Sequence, residues 1–531
     1  MKRALFLFLL TLTACQPKPT ETTKQVLRLN MTEDAVSLDP RVVHRVKDLT
    51  LTRHLFEGLT RMDGNHKPQL ALAKGYEISE DRHTYTFHLR HTEWSNGDAL
   101  IADDFVYSWR RTLDPSFGSL CAHMLFPIKN AEEVHARHLG AEALGVYARD
   151  DHTLIVELVE PTPYFLELVA FPTFFPVNRN VDQNFPNWAA PPGKHFASSG
   201  PFFLEKWIPD QEIVLGKNPS YWDSSNVFLE KIDFSMIADN NTESLLFNQG
   251  QLDWLGQPLS NNISTELLGR LKEAHLLDSY LIAGTFWFTL NVDKEPFTNG
   301  KIRKAFALAL SRAEIIEHIL QGGQSAATSP IPPSLGLSET PYFQDGDTEE
   351  AARLFEAALT EMGWTRETFP RVQLKFPPHE RNRKIVQYVQ QKWQETFHVP
   401  IDLVALEYQV HQAHKQQGNF QVCLGEWIAD YFDPIAFLEL FKYRNDSEFG
   451  TGMNHSNWVD PQYTALLDAS IHEADPQMRK KLLQQAEQII VEAMPIIPLY
   501  HYSFDYVKKD YVQGVVLSPL GSSDFKTARI Q

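Results

Sequence analysis

The chain has 531 residues, 43% hydrophobic and 22% charged, a composition long and apolar enough for two or three hydrophobic cores. Its 49 basic and 67 acidic residues give a formal charge of −18 with no Lys/Arg run to offset it, which excludes nucleic acid as a natural partner. Three cysteines in a chain of this length exclude a disulfide-built scaffold.

The N-terminus reads as an export signal over residues 1–14: Lys2 and Arg3, then the apolar run Ala4–Leu12, which is too short to span a bilayer of roughly 30 Å. The cut falls before a cysteine, and "LTAC" (12–15) resembles the lipobox of bacterial lipoproteins. That resemblance implies lipidation of Cys15, stable anchoring to a membrane and an extracytoplasmic location. Residues 15–23 are polar and Pro-containing, as a flexible tether is. Cys121 and Cys423 are expected as free buried thiols.

Val26–Asn30 predicts a strand, followed by a helix near Leu49–Thr60. Tyr85–Arg90 alternates as a strand. Asp103 or Asp104 is placed to cap the helix FVYSWRRTL (105–113). A further strand lies in DDHTLIVELVEP (150–161), then a helix over Pro163–Ala170. The Pro- and Asn-rich patch Phe171–Gly200 breaks the pattern and marks a crossing between lobes. Strands are predicted at 201–207, 212–217 and 231–237, with a helix at Asn241–Gln249. From Thr285 the texture changes to the strand TFWFTLN and longer amphipathic helices: Lys301–Leu320, Asp347–Met362 with Asp347 as cap, Glu380–Thr396, Pro461–Glu473 and Pro476–Ala493. MPIIPLY (494–500) reads as a second Pro-marked crossing. The whole is a mixed α/β protein of about three lobes.

Enzyme signatures are absent: there is no GxSxG, HExxH, CxxC or Gly-rich phosphate loop, and no catalytic residue is assigned. Glu407, His411 and His414 would share one face of a short helix, as metal ligands or as a solvated face. Glu426, Asp430 and Asp433 could be read as a hydrolytic carboxylate pair, but such pairs usually come from separate elements. GEWIADYFDP (425–434) has a better local reading. Phe420–Trp427 is a strand, so Asp430 sits past its carboxyl end, where open α/β sheets place ligands. Walled by Trp427 and Tyr431, Asp430 can meet an ammonium group, or it can cap the following helix. Gly425 allows another backbone to approach closely.

Across nearly all of the mature chain the sequence resembles the extracytoplasmic solute-binding proteins of peptide ABC transporters, the oligopeptide- and dipeptide-binding type. The resemblance is carried by SLDP (37–40), LFEGL (55–59), YTFHLRHTEWSNGDALIADDFVYSWRR (85–111), SSGPFFLEKW (198–207), NPSYWD (218–223), IRKAFALALSRAEII (302–316) and WIADYFDP (427–434). It implies a bilobal, hinged periplasmic-binding-protein-like fold (type II) with an additional third domain. The first lobe would be 24–56, 180–283 and 498–531, the additional domain 57–179, and the second lobe 284–497. It further implies a monomeric receptor without a cofactor, which closes over a peptide and docks on an inner-membrane ABC permease.

On the family pattern the peptide runs extended between the lobes. Gly425, Glu426, Trp427 and Ile428 would pair with it from one side, and His44, Arg45 and Val46 from the other. Asp430 matches the aspartate that receives the α-ammonium. Phe286, Trp287 and Phe288 lie in the matching hinge strand, Trp287 being the candidate for the cleft wall, and Cys121 is a further candidate contact. The pattern departs at the ligand's other end, where basic groups meet the carboxylate. One arginine position is Leu424, another is Lys415, a point charge only, and a histidine position is Asn382, with His379 and Arg383 nearby. A fixed-length, modified or cell-wall (murein) peptide is therefore an open alternative, as is a metal chelate or haem held by the same fold.

Overall fold

The computed structural model describes residues 24–338, 340–445 and 453–531, so the signal, the tether and Cys15 lie outside the described residues. Burial separates two principal cores. One gathers residues from Leu27 to Leu259 and from Val512 to Ala528, the other residues from Ala283 to Tyr500.

Two four-stranded sheets belong to the first core. One orders Val26–Met31, Lys231–Met236, Glu212–Lys217 and Phe202–Ile208, its first pair parallel and the others antiparallel. The second is an antiparallel sheet of Ala73–Ile78, Thr84–Leu89, Thr153–Glu157 and Val146–Asp150. Thr84–Leu89 alternates half-buried and buried positions, the period-2 pattern of a one-sided sheet. This sheet shares its apolar core with the first, so the segment 57–179 is fused to its neighbour rather than hung from it.

The large sheet orders Trp254–Gly256, Ile496–Lys508, Asp278–Leu290, Val422–Ile428, Val372–Phe376 and Ile401–Ala405. Its two 13-residue strands, Asp278–Leu290 and Ile496–Lys508, run between the two cores. They pair from Asp278 to Leu281 and again from Thr285, with a register shift between. Such an irregularity bends and twists the ribbon, so the two long strands form a jointed connection. A Cβ on Gly284, inside that joint, would stand 2.9 Å from the Tyr502 ring and 3.1 Å from Ile428.

Cap chemistry sets the long helices. Asp347 accepts the Glu350 amide at 3.0 Å to start Thr348–Met362, which ends at Gly363 in the left-handed region (φ +67). Asp460 and Asp475 cap Pro461–His472 and Pro476–Ala493.

Four expectations change. The helix expected over 301–320 is broken into Gly300–Leu308 and a second segment from Arg312, because Ser311 caps a new start at the Glu314 amide. The buried Arg312 guanidinium holds the break by donating to the carbonyls of Leu310, Ala327 and Pro498. MPIIPLY, expected as a Pro-marked crossing, opens one of the long jointed strands, so its course there is extended strand. The helix expected near 49–60 is Val46–Leu55. Asp104 occupies the third position of Ala102–Leu113, not the cap. From there it accepts the Ile101 amide and the Trp94 indole, both at 3.1 Å, and burial pushes its carboxyl up to about 6.

Candidate functional site

The strand Val422–Ile428 organises the site. One edge pairs antiparallel with Gly284–Leu290 along its whole length. The other edge meets Val372–Phe376 only at Val422 and Cys423. From Leu424 to Ile428 that edge carries no partner strand among the described residues. Unpaired N–H and C=O groups on a strand edge are a template for another extended chain. The stretch Val43–Arg45, just before the helix Val46–Leu55, likewise gives its amides no hydrogen-bond acceptor among the described residues.

Gly425 sits in this strand for a reason other than ligand approach. A Cβ there would lie 2.6 Å from the Trp287 indole nitrogen and 2.7 Å from the Thr289 hydroxyl, which are hydrogen-bonded to each other at 3.2 Å. Gly425→Ala is therefore expected to lower stability by about 1–3 kcal/mol through overpacking, read as a lower denaturant midpoint at unchanged slope.

The acids beyond the strand divide clearly. Asp433 accepts the Ile435 amide at 2.9 Å, starting the short helix Ile435–Leu438, and takes both guanidinium nitrogens of Arg479 at 2.7 and 2.9 Å. Glu439 accepts the Tyr431 hydroxyl, and Glu426 the Tyr502 hydroxyl. Asp430 alone makes no hydrogen bond or ion pair among the described residues. Burial raises its carboxyl above the ordinary aspartate range, and only the His123 imidazole opposes this. It faces Cys121, whose thiol is raised by burial and then by the Asp430 charge, and whose sulfur points at the Val43 carbonyl at 3.8 Å. Cys121 and Cys423 are both free and buried. Tyr431, next to Asp430, stacks on Tyr164 at 4.5 Å and 6°, joining this loop to the 57–179 segment.

Two cavities flank the strand. One of about 460 Å³ is bounded by Leu424, Gly425 and Glu426, by His379, Arg381 and Asn382 at the start of the helix Glu380–Phe397, and by His411 and Lys415. The other, of about 230 Å³, lies among Trp287, Lys415, Glu426, Trp427, Phe441 and His455. Trp287 thus reaches a cavity wall. Phe286 borders the larger cavity and stacks on Tyr500 at 4.9 Å, while Phe288 is fully buried against Trp393. The Trp427 indole donates to the Ala436 carbonyl at 3.0 Å, and the Asn382 amide to Pro377 at 3.1 Å. His44 is exposed, and the Arg45 side chain is bound to Asp48 at 2.8 Å and Glu33 at 3.1 Å.

The His/Glu triad does not form a metal centre. Glu407 spends its carboxylate capping Tyr408–Gln416 through the Gln409 and Val410 amides, and His414 Nδ1 stands 3.1 Å from the Lys375 ammonium. His411 is buried rather than on a solvated face. Among the described residues no group of three or more His, Cys, Asp or Glu side chains is arranged to hold a metal ion.

Sequence reasoning missed Arg381, Arg479, Tyr502 and His455. Arg381 had a signal, the RNRK run at 381–384: the first turn of the helix carries Arg381 to the cavity and leaves Arg383 in solvent. The other three had none, being brought in from remote segments.

Residues 67–449 match the model of the bacterial extracellular solute-binding proteins, family 5. The chain belongs to that family. The oligopeptide-binding protein OppA of Bacillus subtilis is 35% identical over 99% of this chain and 98% of its own length. Among solved structures, the unliganded open form of the periplasmic murein tripeptide-binding protein MppA overlays with a TM-score of 0.84 at 26% identity, covering 96% of this chain and 98% of that one. Listeria monocytogenes OppA bound to peptide overlays with 0.72 at 28% identity, covering 96% and 100%. This family 5 member has the mixed α/β fold of those structures, and it is an extracytoplasmic solute-binding protein rather than an enzyme. Among the described residues no helix is long and apolar enough to cross a membrane.

Proposed function

We propose that this protein is the receptor of an ABC importer, and that it takes a peptide in extended form along the open edge Leu424–Ile428, with the ligand's α-ammonium on Asp430. The observation that carries this reading is that unpaired edge, which ends beside Asp430, the acid of the loop left without a partner among the described residues. A peptide added as a strand gains affinity from main-chain hydrogen bonds, which every sequence offers. The facing stretch His44–Val46 pairs with the ligand from the other side. Arg381, His379 and the amino end of the helix Glu380–Phe397 take its carboxylate end, where Leu424 can offer no charge.

In this reading the lobes are 24–56 with 180–283 and 498–531, and 284–497, with 57–179 added to the first. The separation of the two cores and the joint in the long strands support that division. Closure about the joint buries the ligand, and the closed form delivers it to the permease, while a lipid on Cys15 holds the receptor at the membrane. The protein acts as a monomer.

N-methylation tests the pairing. Methylating a peptide nitrogen removes one main-chain donor, so successive single N-methyl analogues of a bound peptide are expected to lose about 1–2 kcal/mol each at alternate positions, measured by titration calorimetry. Uniform tolerance of methylation along the peptide contradicts strand addition.

A further inference from the structure

Behind the open strand edge lies a group of basic side chains that the main-chain pairing does not use. Lys415 borders both cavities, and its ammonium makes no hydrogen bond or ion pair among the described residues. His411, on the same helix, is 3% exposed, yet neither ring nitrogen has a hydrogen-bond partner; the Lys375 carbonyl faces it without closing one. His455, on the wall of the smaller cavity, has a buried Nδ1 that is also without a partner. Beside them the Lys375 ammonium donates to the Asn419 carbonyl at 2.5 Å and stands next to His414. Buried polar groups in a folded protein are nearly always satisfied, so two unpartnered imidazoles beside an unpaired ammonium call for an acceptor. In a chain of net charge −18 no described acid supplies it. The one acid on both cavity walls, Glu426, already accepts the Tyr502 hydroxyl.

We infer that the pocket bounded by Lys415, His411 and His455 receives a carboxylate side chain of the ligand, which makes this receptor selective for peptides with Glu or Asp near the third residue. The inference rests on the peptide reading above. Position follows from chain reach: Trp427 lies three residues before Asp430, at most about 10 Å at roughly 3.3 Å per residue because the strand ends at Ile428, so a ligand anchored at Asp430 brings a side chain near its third residue to the pocket. The carboxylate takes a charge-assisted hydrogen bond from the Lys415 ammonium and further ones from the two imidazoles.

The groups facing these rings are Lys415 and His414 on the helix Tyr408–Gln416, Lys375 on its strand, and Cys423 and Glu426 on the open strand. His379 and Arg381 face them across the larger cavity. Burial, then the Lys415 charge, holds His411 down to about 4 and His455 down to about 3, so both are neutral in the empty pocket near pH 7. A bound carboxylate favours their protonated forms, so binding an acidic peptide takes up protons and strengthens as pH falls from 7 toward 5.

Calorimetric titration of Ala-Ala-Glu-Ala and Ala-Ala-Gln-Ala, in two buffers of different ionisation enthalpy at about pH 6.5, tests this. The Glu peptide is expected to bind about tenfold more tightly or better, with net proton uptake that the Gln peptide lacks. Lys415→Gln and His455→Gln are each expected to remove most of that preference, read as the ratio of the two peptides' affinities on each variant, whatever their common level. Equal binding of the two peptides overturns the pocket assignment and leaves the peptide reading standing. A preference untouched by both substitutions also overturns it, by placing the carboxylate elsewhere. If neither peptide binds, the pocket assignment falls together with the reading it rests on.

Discussion

Asp430→Asn is expected to weaken peptide binding by about 2–5 kcal/mol, a loss of roughly thirtyfold to several thousandfold, while the empty protein keeps or slightly gains stability. The two effects have one cause. The Asp430 carboxylate is desolvated and has no partner among the described residues, a cost the fold carries. Only an incoming cation repays it. Asparagine preserves size and shape and removes the charge, so the empty fold is relieved and the ammonium loses its partner. An N-acetylated peptide should lose a similar amount on the native protein and little more on the variant, which is the signature of a direct pair. The pH dependence has a definite sign. Asp430 is raised in the empty cleft, and an ammonium beside it lowers it, so binding releases protons in the acid range. Peptide affinity is therefore full above the raised Asp430 value and falls as acidification protonates it, beginning at a higher pH than for an ordinary aspartate. A Tm that drops sharply in Asp430→Asn would instead mark Asp430 as a structural group.

The second large effect is one of stability. Arg479→Met should destabilise the protein by about 3–5 kcal/mol, because it strands the Asp433 carboxylate in a buried position. Both guanidinium contacts are lost at once, and Asp433 also starts the helix Ile435–Leu438. The double variant Asp433→Asn with Arg479→Met should recover much of the loss, since no buried charge is then left alone. Urea unfolding measures both. The loop 429–433 hangs from this pair, so Arg479→Met should also weaken peptide binding, with Asp430 intact but no longer held in place.

Much of this architecture was legible in the residues. Asp347, Asp460 and Asp475 announce helix starts because a capping side chain acts on amides within three residues of itself. The position of Asp430 past a strand end is local too. What stayed hidden depends on distant segments. Glu426, Asp430 and Asp433 read alike in sequence, and only the folded chain shows that Tyr502 and Arg479 claim two of them and leave the third. The break at Ser311 was obscured because Lys301–Leu320 keeps a helical apolar pattern throughout. The buried Arg312 decides it, by taking carbonyls from Ala327 and Pro498. The prolines of MPIIPLY suggest a crossing, and they hide that the chain there runs as a long strand able to tolerate them. The glycine at 425 suggests the approach of another backbone, but side chains fill the space its missing Cβ leaves. What approaches is the Trp287 indole, from the neighbouring strand.

The most direct test is native mass spectrometry of the protein purified without added ligand, followed by release and sequencing of what it carries. A peptide with a free amino terminus, retained by the native protein and lost from Asp430→Asn, is the expected result. A non-peptide cargo, or a peptide retained equally by both proteins, would contradict the assignment of Asp430 as the ammonium receptor of an extended peptide.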